Sequence, residues 1–120
     1  MAIFEVWDIV KVPFPHKDRP VRQRRPALVV AAGAIEAAHG LLWLVMITSA
    51  ENRGWPGDVG ISDLRAAGLP APSIVRPAKI ATVDARDVQR LGTLPGADRN
   101  AVAAGLRAIL GAVLETSERK

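Results

Sequence analysis

Between His16 and Pro26 the chain sets Lys17, Arg19, Arg22, Arg24 and Arg25 against a single acid, Asp18, and then runs straight into the apolar segment Ala27-Leu28-Val29-Val30. A cationic loop delivered onto a rigid strand is a device for binding phosphate. Arginine suits that task because its guanidinium stays charged and offers a planar fork to phosphate oxygens. Pro26 biases Arg25 toward extended backbone, and strand alternation sends Arg24 and Arg25 to opposite sides, so only one of the two readily serves as the reacting group. His16 is the one residue of the segment whose unperturbed pKa lies near neutrality, which makes it the candidate there for proton transfer. His39, beside Gly40 in an apparent turn, reads as structural or surface.

These residues need strands to hold them. Trp7-Asp8-Ile9-Val10-Lys11-Val12 precedes the basic segment and Leu42 to Ser49 follows it, both rich in β-branched and aromatic residues. Gly33-Ala34 and His39-Gly40 bound the connection between the second and third strands, and Trp43, inside an apolar strand, is expected in the core. Glu51 to Asp58 is dense in turn formers and reads as a loop. Asp58 to Ile61 is a short strand, and Ser62 to Pro70 a helical turn or two with Ser62 as N-cap and Gly68 as terminator. Val102, Leu106, Ile109, Leu110 and Val113 recur at spacings of three and four, the stripe of an amphipathic helix that completes the core. Several short strands before any sizeable helix predict a mainly β fold with α: a small closed or half-open barrel with helices at its edge.

Composition narrows the classes. At 120 residues the expectation is one domain, residues 1–120, with a single core. The sequence has no cysteine, which excludes disulfides and thiolate metal sites, and two isolated histidines argue against a structural zinc site; no metal and no cofactor are expected. The N-terminus shows no basic leader, and the longest apolar run, Leu41 to Ile47, is far below the roughly 20 residues that span a bilayer, so a soluble cytoplasmic protein is expected. Sixteen Lys and Arg against twelve acids give a formal charge of +4, which suits a polyanionic partner.

Four pieces in order, Trp7-Asp8, Arg25-Pro26, Thr48-Ser49 and the run Ser73 to Asp84, which looks like the penultimate strand region, resemble the MazF/PemK family of toxin endoribonucleases. That family's first strand usually opens with Gly-Asp, its second follows an Arg-Pro pair, and its third ends in Thr-Ser or Thr-Thr. The resemblance continues through Leu91-Gly92-Thr93-Leu94 into the closing helix and covers nearly the whole chain. It implies an SH3-like barrel of the CcdB/MazF type with a C-terminal helix. The chain departs from the family at Trp7, where glycine is usual, and in the basic loop, which lacks the frequent Glu-Gln pair.

The resemblance also implies an activity: sequence-selective, metal-independent cleavage of single-stranded RNA to 2′,3′-cyclic phosphate and 5′-hydroxyl ends. Such cleavage needs a base for the 2′-hydroxyl, positive charge on the phosphorane oxygens and a donor for the leaving 5′-oxygen. By resemblance Arg25 is the catalytic cation and Thr48 its hydrogen-bonding partner. An arginine with a pKa above about 12 is a poor base, so transition-state stabilisation carries the rate or another group, such as His16, helps. Lys17, Arg19, Arg22, Arg24 and Ser49 are expected RNA contacts. Arg76 and Lys79 either extend the phosphate track or are solvated strand ends, and Trp55 either stacks an unpaired base or packs over the barrel mouth. The implied partners are mRNA, a cognate antitoxin with an acidic tail that folds on binding, DNA bound together with that antitoxin, and a second copy of the chain. The alternatives are a non-enzymatic protein poison like CcdB, and a catalytically silent barrel. CcdB-like toxins rely on an apolar C-terminus ending near a tryptophan, whereas this chain ends Thr116-Ser117-Glu118-Arg119-Lys120.

Overall fold

The computed structural model describes residues 3–15 and 22–116; His16, Lys17 and Arg19 lie outside the described residues, as does the side chain of Arg22. Six strands form one antiparallel sheet: β1 (Asp8–Pro15), β2 (Arg22–Ala31), β3 (Leu41–Ser49), β4 (Val59–Gly60), β5 (Ser73–Asp84) and β6 (Gln89–Thr93), in the spatial order β4-β5-β3-β2-β1-β6. Three helices accompany it: α1 (Ala34–His39), α2 (Leu64–Ala67) and α3 (Gly96–Leu114). The sheet curls into a half-barrel closed off by α3, the mainly β architecture that the strand pattern predicts. No helix of the described residues is long and apolar enough to cross a membrane.

Both faces of the sheet are buried, because alternate residues of the same strands feed two separate apolar clusters. Ile9, Leu28, Val45, Ile47 and Val75 gather on one face with Ala67 and Leu69 of the α2 region, with Leu94 just after β6 and with Val102 of α3. Val10, Val12, Ala27, Val29, Leu42 and Leu44 gather on the other with Phe4, Val83 and Val88. Such two-sided burial explains why the strands read as nearly continuous apolar runs rather than as clean alternation.

Several expectations need correcting. The basic segment is not a loop up to Pro26: β2 already starts at Arg22, because its residues pair with β1 from Pro15↔Arg22 through Val12↔Arg25 to Ile9↔Leu28. Trp43 is 40% exposed rather than core. It shares a face with Val45 and Ile47, but it lies at the end of β3 beyond the cover of α2 and α3, with Ile80, equally uncovered, diagonally across on β5. Asp63, not Ser62, caps α2: its Oδ1 accepts from the Ala66 amide at 3.1 Å. Ser62 instead donates both its amide and its hydroxyl to the buried Asp98 carboxylate at the start of α3, at 2.8 and 3.1 Å. The stripe on α3 packs only in its first half, where Val102 is buried and Leu106 rests on the core, while Ile109 and Val113 are exposed, the helix having run past the sheet.

Two positions explain residue choices that patterning alone leaves open. Gly68 ends α2 in a left-handed conformation with φ 74°, and a Cβ there would run into the Leu91 carbonyl of β6, so both backbone angle and space demand glycine. Trp7 holds a φ of 82°, a conformation that strains a bulky side chain and that glycine adopts freely. The strained peptide is pinned on both sides: the Trp7 amide donates to the Val29 carbonyl and its carbonyl accepts from the Leu94 amide, each at 2.9 Å.

Candidate active site

A cleft of about 490 Å³ opens where the ends of β2 and β3 meet the chain running from α2 to β5. Arg25 of β2 and Thr48 of β3, each two residues beyond the outermost β2–β3 pair Ala27↔Met46, both line this cleft. Lys11, the residue of β1 paired with Pro26, lines it too, together with Ser49 and Asn52. Pro26, Ile47, Leu69, Pro70, Pro72 and Leu91 form its apolar walls. No carboxylate is found among the described residues that line it, so its polar groups are two cations, the three hydroxyls of Thr48, Ser49 and Ser73, and one amide beside backbone. That combination binds an anion through charge and accepts a flat apolar group against the prolines.

Arg24 does not line the cleft: its guanidinium reaches Gln89 of β6 at 3.4 Å. Lys79 is exposed in a bulge of β5, where the β3 pairing jumps from Val45↔Ile80 to Met46↔Arg76 and leaves Pro77, Ala78 and Lys79 unpaired. Pro77 has no amide proton for a ladder, which suits it to this bulge. Gly105 lets α3 approach it, since a Cβ there would stand 3.2 Å from the Pro77 ring.

Arg76 departs from the expected surface phosphate track. It is buried, and its Nε and terminal nitrogen fork onto the two Asp58 carboxylate oxygens at 3.0 Å each. The same terminal nitrogen donates to the Asn52 carbonyl at 2.7 Å. Asp58 further accepts from the Gly54 and Trp55 amides at 3.2 and 3.1 Å, so the whole turn from residue 52 to 58 is wrapped around this ion pair. The Arg76 fork holds the Asp58 carboxyl below its usual range, against the opposing effect of burial and with the two amides helping. The Arg76 guanidinium is correspondingly raised by Asp58. Trp55 does not line the cleft; its ring lies 4.1 Å from the Arg76 guanidinium carbon, one face covering the ion pair while the residue stays 47% exposed.

Sequence reasoning missed Lys11 and Asn52. Lys11 carried a signal, a lone cation between Val10 and Val12 in an otherwise apolar strand, but nothing in its neighbours says that it lines a cleft with Arg25. Asn52 sat unremarked among turn formers. Its side-chain amide donates to the Thr48 hydroxyl oxygen at 2.9 Å, while Ser49 is engaged as the cap of the short turn Ala50–Asn52, accepting from the Glu51 amide at 3.2 Å.

Residues 5–110 match the model of the family described as PemK-like, MazF-like toxin of type II toxin-antitoxin system. Among solved structures the chain is similar to MazF from Deinococcus radiodurans (24% identity, 91% of this chain and 97% of that one, TM-score 0.72) and to the Mycobacterium tuberculosis toxin MazF-mt6 (20%, 87% and 96%, TM-score 0.68). It is also similar to an endoribonuclease in complex with its cognate antitoxin from Mycobacterial species (20%, 88% and 93%, TM-score 0.67). At these identities the structural likeness establishes the fold. No curated protein matches the chain.

Proposed function

Since the chain belongs to the PemK-like, MazF-like toxins of type II toxin–antitoxin systems, we propose that it is a metal-independent, sequence-selective endoribonuclease that cuts single-stranded RNA to 2′,3′-cyclic phosphate and 5′-hydroxyl ends. The observation that carries this reading is the meeting of Arg25, Lys11 and Thr48 in one cleft whose described lining holds no carboxylate. Arg25 stabilises the charge that develops on the phosphorane oxygens, Lys11 adds a second positive charge, and the Thr48 hydroxyl donates to a phosphate oxygen. The wall of Leu69, Pro70 and Pro72 offers an apolar surface to an adjoining base. His16 is the candidate proton carrier from outside the described residues; Lys17, Arg19, Arg22 and Arg24 supply further phosphate contacts along the basic edge. Arg76 belongs to none of these groups, because it is buried with its Nε and one terminal nitrogen held by Asp58 and Asn52.

The partners proposed are mRNA, a cognate antitoxin and a second copy of the chain, acting in the cytoplasm. The excess of cations suits an antitoxin segment rich in acids. The test is incubation of the purified protein with long single-stranded RNA in EDTA, with the new 5′ ends mapped and Arg25→Ala and His16→Ala run alongside. Discrete cuts that vanish with Arg25→Ala, at unchanged melting temperature, support the reading. Absence of cutting by folded wild type, or loss in Arg25→Ala only through unfolding, overturns it.

A further inference from the structure

The turn from Ala50 to Asp58 carries one buried ion pair, and a continuous chain of hydrogen bonds leads from it to the cleft. Asp58 holds the Arg76 guanidinium by both oxygens; Arg76 holds the Asn52 carbonyl at 2.7 Å; the Asn52 side-chain amide donates to Thr48 Oγ1 at 2.9 Å. A threonine hydroxyl has one proton to give and two lone pairs to receive with. With one lone pair occupied by Asn52, the hydroxyl rotor is biased to swing its proton away from that amide. Asn52 and Thr48 both line the cleft.

We propose that Asp58, Arg76 and Asn52 form a positioning relay that orients the Thr48 hydroxyl proton toward the substrate phosphate. None of the three supplies the reaction with charge or a proton. Arg76 fixes the backbone at residue 52 so that a short, otherwise exposed amide arrives at Thr48 with one hand only, donor first. The inference rests on the ribonuclease reading for its kinetic consequence, and on geometry alone for the relay itself. It separates two roles that the sequence leaves merged in one cationic set: Arg25 for the phosphate, Arg76 for the residue that faces the phosphate.

The sharpest test uses Asn52→Ala, because Arg76 contacts only the backbone carbonyl of that residue and the ion pair is retained. Expected is a roughly tenfold fall in kcat with KM and melting temperature unchanged. In a Thr48→Ala background the same substitution is expected to cost nothing further, since a residue that acts only through Thr48 has nothing left to orient. Independent, multiplicative losses in the two backgrounds, or a change confined to KM, overturn the relay. Arg76→Ala strands a buried carboxylate and risks unfolding, so the pair is replaced together, Asp58→Leu with Arg76→Met, which leaves net charge unaltered. That double variant is expected to lose kcat like Asn52→Ala and to keep the salt dependence of RNA binding. A fall in the salt slope of about 0.7 would make Arg76 a phosphate contact and overturn the proposal.

A readout free of catalysis separates this failure from failure of the ribonuclease reading. The NMR signals of the Asn52 side-chain amide are expected to be shifted and protected in wild type, and to move to solvent-exposed values in both Thr48→Ala and the double variant. If wild type cuts no RNA while these signals behave as stated, the nuclease reading falls and the relay stands as the scaffold of a binding cleft. If wild type cuts RNA and the Asn52 amide is solvent-like throughout, the relay falls and the nuclease reading stands.

Discussion

Two arginine–carboxylate forks flank β5 with almost the same geometry, Arg76 on Asp58 with contacts of 3.0 Å and Arg86 on Asp84 with contacts of 3.0 and 3.1 Å. They differ in where they sit. The side chains of Arg76 and Asp58 are 10% and 9% exposed, those of Arg86 and Asp84 88% and 36%. The partners differ as well. The buried pair also takes a backbone carbonyl, two backbone amides and the face of Trp55, and so ties together residues 52 to 58, whereas the exposed pair joins two residues of one short turn. Matching distance therefore says little about consequence. A pair matters to the fold when removing one member leaves the other buried without compensation, and water compensates fully at Arg86.

The comparison breaks most easily at Arg76. Replacement by alanine is expected to lower the melting temperature by about 10 °C or more and to abolish RNA cutting, measured by calorimetry and by the cleavage assay. Equal stability of Arg76→Ala and wild type would put the two pairs in one class. Next in size is the acid response. Because the folded-state pKa of Asp58 is depressed by the Arg76 fork, its contribution to stability is present above the unfolded value of about 3.9 and disappears as pH falls through the folded one. Denaturant midpoints measured from pH 7 downward should fall as pH drops below about 4, and Asp58→Asn should flatten that limb. Asp84 is depressed in the same direction by Arg86, but its pair is solvated and its substitution by Asn should leave the limb as it is. Trp55→Ala comes third: uncovering the guanidinium should cost a few degrees and leave cutting within about threefold of wild type. A larger loss of RNA affinity than of stability would return Trp55 to the role of a base-stacking platform. Smallest is Arg86→Ala, expected to shift the melting temperature by about 1 °C or less, the more so in high salt.

The same contrast explains which residues could be placed from the sequence. Runs such as Val10-Lys11-Val12, Ala27 to Val30 and Leu42 to Ile47 announce strands because β-branched and aliphatic residues fit a pleated surface buried on both sides. Gly68 announces the end of α2 through its left-handed φ. Arg25 and Thr48, a pair that the sequence offers only through the family resemblance, line one cleft. The core status of Trp43 was misread, since an apolar run says which residues alternate but not where the covering helices stop. The exposed half of the α3 stripe, Ile109 and Val113, failed for the same reason. Arg76 failed differently: Asp58 lies 18 residues away, across a loop that only its own hydrogen bonds shape.

By itself the sequence determined the apolar strand segments, the cap glycine and the cationic segment, which depend on residues close together along the chain, and, through motifs spread along its length, the family to which the chain belongs. The tertiary structure decided which cations face the cleft, that Lys11 and Asn52 join Arg25 and Thr48, and that Arg76 is sequestered instead of exposed. Local preference acts through each residue's own backbone and near neighbours. Charge and burial depend on partners that distant segments bring together, so an arginine's role is settled by what the fold sets against it.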